Sequence, residues 1–173
     1  MALNLTYYGT LEEAGTYFAA RLHSDLWAEA TTAEKTNALI EARRIIDTFA
    51  YKGDKHSVYV LLQANSEATD EQIRVAEASQ ALEFPRDADT VVLEDIRLAA
   101  YEIAYELLDG KDPEMELENL GVESQTFGMV KTSFNRSQLP IEHLINGVPC
   151  AKAWRWLRPL FRDGQAIKLS RIS

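Results

Sequence analysis

The run over residues 91–110, VVLEDIRLAAYEIAYELLDG, most narrows what this chain can fold into. It is the longest uninterrupted helix signal. Neither Pro nor Gly falls inside it before Gly110, which suits the left-handed position just past a helix end. At about 100° per residue, Val92, Ile96, Ala100, Ile103 and Leu107 share one stripe. Leu93, Tyr101, Ala104, Tyr105 and Leu108 widen the apolar arc far past it. A helix apolar over most of its circumference is enclosed by other elements, so this run predicts a central helix. The acids Asp95, Glu102, Glu106 and Asp109 fall within about 60° of each other on the remaining arc. They predict one thin, solvated acidic edge.

The flanking segments supply the enclosure. Residues 10–22 read as a first helix: Thr10 and Glu13 stand at capping-box spacing, and Leu11, Ala14, Phe18 and Leu22 recur at helical intervals. A connector follows, in which Trp27 is expected to plug the gap between helices. Thr31 and Glu34 make a second capping box, for a helix reaching about residue 51 and closed by Gly53. Its apolar face holds Leu39, Ala42, Ile46 and Phe49. VYVLL at 58–62 is β-branched and apolar, which admits a strand. Asp70 is expected to cap a helix that runs to about Leu82, with Val75, Ala78 and Leu82 on its main apolar side. Pro85 ends it, because the residue before a proline avoids the α region.

After Gly110 the chain becomes an acidic linker with one helical turn expected after Pro113. Residues 121–134, GVESQTFGMVKTSF, favour strand and read as a β-hairpin or extended arm. An isolated hairpin is marginal in water. Phe127, Met129, Val130 and Phe134 are therefore expected at a subunit interface, with packing on the arm's own domain as the other reading. Residues 150–161 read as a short helix broken near Pro159. The fold class expected is mainly α, a bundle of about four to five helices with an extended arm. Residues 1–120 form the bundle, 121–147 the arm and a loop, and 148–173 a C-terminal helix and extended basic tail. This is one domain with extensions.

With 173 residues the chain can bury a real core. Its net charge of −9 is unevenly placed. Residues 149–173 carry six basic side chains against Asp163 alone, a net of +5, which leaves −14 on the rest. An acidic body repels nucleic-acid phosphates, while a basic end suits an acidic protein surface or a phosphate backbone. No apolar run approaches the ~20 residues that span a bilayer, and MALNLTYYG lacks a basic-then-apolar leader. A soluble chain that bypasses the secretory route, without a membrane partner, is expected. The single cysteine, Cys150, forms no internal disulfide and reads as a small buried side chain.

Chemistry finds little to stand on. His23, His56 and His143 lack a second ligand at metal spacing. The glycines are scattered rather than gathered into a phosphate loop, and no nucleophile motif occurs. A solvated acidic edge offers no pocket in which a carboxyl could become a general acid or base. No enzyme, metal or cofactor is expected. What remains is Trp154-Arg155-Trp156-Leu157-Arg158. Two tryptophans beside arginines fit an interface anchor, since aromatics and Arg supply binding hot spots. Arg162, Lys168 and Arg171 extend this candidate partner-binding set. Two other readings stand beside it: one Trp staples the last helix to the core, or the pair stacks on nucleic-acid bases.

Three stretches together resemble a known family. Tyr17-Phe18-Ala19-Ala20-Arg21, then Trp27, then Ala38-Leu39-Ile40-Glu41-Ala42 with Ile46-Asp47, is similar to the start of tailed-phage head–tail connector (adaptor) proteins. Many of these are catalogued as DnaT-like single-stranded DNA-binding proteins. Gln80-Ala81-Leu82-Glu83-Phe84-Pro85-Arg86 resembles their Q-x-L-x-aromatic-P-R segment, with Phe84 where Trp is more usual. The likeness covers roughly residues 10–162, with extra length at 56–78. It implies a structural virion protein made in the host cytoplasm and placed in the neck of a bacteriophage. There a usually twelve-fold ring, a dodecamer, sits beneath the portal and extends the DNA channel toward a stopper or tail-completion protein. On that reading the basic C-terminal set binds the portal, the arm contacts a neighbouring subunit, and Asp95, Glu102, Glu106 and Asp109 line the channel. Genomic double-stranded DNA passes through without specific binding. The alternative that the resemblance carries is single-stranded DNA binding.

Overall fold

The structure, a computed structural model, describes residues 6–120, 124–127, 130–133 and 142–162. The chain is mainly helical, with nine α-helices among the described residues, several of them a single turn. The longest runs follow the sequence reading, but the helices outnumber the four to five expected. Those at Asp25–Glu29 and Glu142–Ile145 are short connectors, while those at His56–Ala64 and Pro113–Leu120 are full elements where a strand and a single turn were the expectations.

Helix α6, Glu94–Leu108, is the central one: Ile96, Ala99, Ala100, Tyr101, Glu102, Ile103 and Ala104 are all buried. Gly110 follows at φ +77°, in the left-handed region that stops a helix. Helix α1, Leu11–Ala19, lies along it. Glu13 meets Arg97 at 2.7 Å and Tyr101 at 3.2 Å, Tyr17 meets Glu102, and the Tyr105 hydroxyl donates to His23 O at 2.6 Å. These contacts advance together along both chains, so α1 and α6 run in the same direction. The one-turn helix α2, Asp25–Glu29, brings Trp27 onto Phe18 with ring centroids 4.5 Å apart. Trp27 fills the gap as expected. Helix α3, Thr32–Ile46, buries Ala38, Leu39, Ala42 and Ile46 in the common core.

Both capping boxes read from the sequence are present, at Thr10/Glu13 and Thr31/Glu34. Several boundaries differ. Leu22, expected on the first apolar stripe, is 83% exposed: α1 stops at Ala19, and His23 turns the chain at φ 57°. Helix α3 ends at Ile46 rather than near residue 51. Tyr51 folds back instead, its hydroxyl donating to Ile46 O at 2.8 Å while its backbone bridges Phe161. Residues 58–62 are helical, within α4, His56–Ala64; the β-branched positions were outweighed by a neighbouring helix to pack on. That neighbour is α5, Asp70–Ser79, whose cap is Thr69 with Gln72 rather than Asp70. Its expected apolar side faces solvent: Val75 is 61% exposed, and Ile73 and Ala76 are the half-buried pair. The acidic linker forms a fuller helix than one turn, α7, Pro113–Leu120.

Within 121–134, residues Ser124–Phe127 (β1) and Val130–Ser133 (β2) are paired antiparallel with Phe127 opposite Val130. The rest of 121–134 lies outside the described residues. Helix α8, Glu142–Ile145, then leads to α9, Ala151–Leu157, and a 3-10 turn at Arg158–Leu160.

One short segment latches the bundle. Gln80 accepts from Ser57 N at 3.1 Å and donates to Leu82 O at 3.0 Å and Pro85 O at 2.9 Å. Phe84 is buried edge-on to Tyr51 at 4.6 Å, before a cis bond to Pro85. Arg86 is nearly buried, and its guanidinium donates to Lys52 O at 2.9 Å, Gly53 O at 2.5 Å and the Glu83 carboxylate at 2.8 Å. Gly53 suits this position by its backbone conformation and by the room it leaves for the Asp87 side chain. Its φ is +71°, and a Cβ would lie 2.0 Å from the Asp87 carboxylate that caps Asp54 N.

Candidate interface at the C-terminal helix

Helix α9 turns one face inward, placing Ala153, Trp154 and Leu157 in the core. Phe161 follows, buried, and its backbone bridges Tyr51. Lys52 N donates to Leu160 O at 2.9 Å and Arg162 N to Ala50 O at 3.0 Å, so the end of the helix is stitched to the middle of the chain. Trp154 packs on Phe49 at 6.0 Å and Phe161 at 5.1 Å between ring centroids, and only 6% of it is exposed. It therefore cannot serve as a docking anchor; its place in the apolar rhythm 150–153–154–157 made it the staple. Its indole N–H finds no acceptor among the described residues.

The outer face carries the remaining members of the set. Arg155 is exposed and Trp156 half-buried, with the Lys152 ammonium 5.5 Å from the indole centroid. Arg158 lies 3.4 Å from the Glu142 carboxylate, and Arg162 is exposed. Lys168 and Arg171 fall outside the described residues. So the structure brings Arg155, Trp156, Arg158 and Arg162 to one end of the molecule and removes Trp154.

Beside the apolar contact between α9 and α6 lies a polar hub centred on Glu102, which is fully buried. Lys152 donates to one carboxylate oxygen at 2.6 Å, and Tyr17 donates to the same oxygen. The Arg21 guanidinium reaches the other at 3.1 Å. Arg21 also lies over the Tyr105 ring, 4.2 Å from its centroid. Glu102 was expected on the solvated edge and as a channel-lining acid; burial rules out both. The helical angle was read correctly, but α1 and α9 close over α6 at this level and bring their own cations. Asp95 and Asp109 are exposed, and Glu106 is half-buried against Lys111. Nothing in the sequence marked Lys152 as the partner of Glu102. The i, i+4 spacing of Tyr17, on α1, and Arg21, just past its end, was the available sign.

Two shifts show the hub's electrostatics. Burial, then the bond to Glu102, raises the Tyr17 phenol above its ordinary value. Burial works against the Lys152 ammonium, but its bonds to Glu102 and Tyr17 outweigh that and raise its pKa. Glu102, Glu106 and Cys150 also bring their ligand atoms within 4.8 Å of one another. The carboxylates already have Lys152, Arg21 and Lys111 as counter-ions. Burial raises the Cys150 thiol, which disfavours the thiolate a metal or an electrophile needs. The cluster is arranged as an ion-paired core rather than a reactive centre.

Phe127 and Val130 sit in the paired strands; Met129 and Phe134 lie outside the described residues. Two open grooves occur elsewhere. One, of about 340 Å³, runs beside Glu41, Ile45, Leu107 and Pro113; the other, of about 200 Å³, lies between Tyr51, Arg86, Asp89 and Pro159. Neither includes Glu102. Among the described residues no helix is long and apolar enough to cross a membrane. No protein-family model, curated protein or solved structure matches the chain.

Proposed function

We propose that this chain is a head–tail connector of a tailed phage. It forms an oligomeric ring beneath the portal, extends the DNA channel and offers a platform to a stopper or tail-completion protein. The observation that carries the reading is the latch at residues 80–86. This segment holds the strongest likeness to connectors, and Gln80, Phe84 and Arg86 are all spent on closing the bundle. A signature used for folding, in a chain whose buried Glu102 is neutralised by cations, suits a protein that works by shape. The exposed acids Asp95 and Asp109, on a strongly acidic body, suit a wall along which DNA slides without being gripped. The basic end, with Arg162 and beyond it Lys168 and Arg171, supplies the portal contact.

The test is particle composition. Purified virions from cells carrying this gene are expected to contain the chain at several copies per portal, located at the neck by labelled-particle imaging. Truncation after Arg162 keeps α9 and is expected to lower occupancy. Absence of the full chain from particles defeats the connector reading. Single-stranded DNA binding is the competing outcome: a gel shift by the isolated chain, tight and falling steeply with salt, would replace it. Burial of Trp154 removes one of the two stacking rings that reading needs.

A further inference from the structure

Helix α5 poses a physical problem. It has ten residues, none of them buried, and the helix it packs on is α4. Helices this short are marginal in water unless an apolar face is covered. On α4 and α5, Val60 is 50% and Val75 61% exposed. Residues 56–79 carry four acids against Arg74 alone. The pair is thus an acidic hairpin with uncovered valines, set on the bundle through the Lys55–Arg86 bridge and the Gln80 bond to Ser57.

We infer that this hairpin docks on a second copy of the chain, against the outer face of its C-terminal helix. Charge selects the surface. The acidic hairpin repels its own counterpart and the acidic body alike. Residues 151–162 carry four basic side chains and no acid; Lys152 among them is committed to Glu102, and Arg158 lies 3.4 Å from the Glu142 carboxylate at a solvent-exposed position. Arg155 and Arg158 there are exposed, and Trp156 offers a half-covered ring for the valines. An aromatic beside arginines, set against an apolar acidic surface, is the composition of an interface core with a charged rim. Arg155, Trp156 and Arg158 thereby belong to the contact between copies. This contact joins two different surfaces of the same chain. It stands on charge and exposure, not on the connector reading, so each can fail without the other.

Sedimentation velocity on the full chain tests it. At about 0.05 M salt the wild type is expected to associate reversibly, and at about 0.5 M salt to dissociate, because rim charges are screened there. Glu71→Lys with Glu77→Lys, or Arg155→Glu with Arg158→Glu, is expected to weaken association at least about tenfold. All four side chains are exposed, so helical circular dichroism should match the wild type. Mixing the two variants should restore association, because each supplies the face that the other now fits. A monomer at every concentration and salt overturns the inference. So does association that both reversals leave unchanged, or a mixture no more associated than its components.

Discussion

Glu102 shows what a single position can hide. It lies seven residues from Asp95, so helical geometry puts the two on nearly one meridian, yet one is exposed and the other sealed. Periodicity reports how burial varies around a helix and is silent on how it varies along it. Removing this charge leaves Arg21 and Lys152 facing each other across a closed interface. Glu102→Gln is expected to cost about 2–3 kcal/mol in urea unfolding, below the full cost of a broken buried pair because both cations keep some solvent. Lys152→Met, at the half-exposed partner, should cost less. A Glu102→Gln midpoint equal to wild type would return the residue to the solvated edge. The core staple at Trp154 was legible as one of three readings, and the apolar interval decided it. The Arg86 fork was legible only at Glu83, three residues away; its long-range acceptors are the Lys52 and Gly53 carbonyls, which no side-chain pattern announces.

Elements were readable where local chemistry and burial agree. The Thr10/Glu13 and Thr31/Glu34 boxes fix their helices because the bonds lie within four residues. Thr31→Ala should lower stability by about 1 kcal/mol, measured by thermal or urea unfolding. At α5 the same logic pointed one residue late, because Asp70 and Thr69 both suit a cap, and Gln72 decides between them. Residues 58–62 failed for a different reason: a five-residue apolar run carries no period, and only the partner helix makes it α. Exposure makes a dynamic prediction here. Backbone amides of α5 should exchange hydrogen far faster than those of Ala99–Ala104 in α6, measured on the dilute monomer. Equal protection would mean that α5 is covered even there.

At the scale of the whole molecule, the buried phenols tie the fold to neutral and mildly alkaline pH. Burial, with Asp47 nearby, raises Tyr8 and Tyr51 well above the ordinary value of 10.0, and burial with Glu13 pushes Tyr101 up to about 12. The fold prefers these groups neutral. Their contribution is fully present below pH 10 and is lost as pH rises from there toward the folded values. Lys152, also raised, acts in the same direction, since its charge is needed at Glu102. Unfolding should therefore set in above pH 10, with phenolate absorbance appearing together with the loss of helix rather than before it. Phenolate that forms while the helices persist would contradict the burial of these rings. The division into an acidic body and a basic end was visible in the chain from the start; which helices carry each pole was not, because that depends on how they pack.

The stitch between residues 50–52 and 160–162 gives the molecule a mechanical character. A tug on Arg162 is borne by two backbone hydrogen bonds and the Phe161 ring, and reaches Gly53 and the Arg86 fork within a few residues. Whatever grips the tail therefore pulls on the interior rather than on a loose tether, and strain arriving from outside is shared with the centre of the fold.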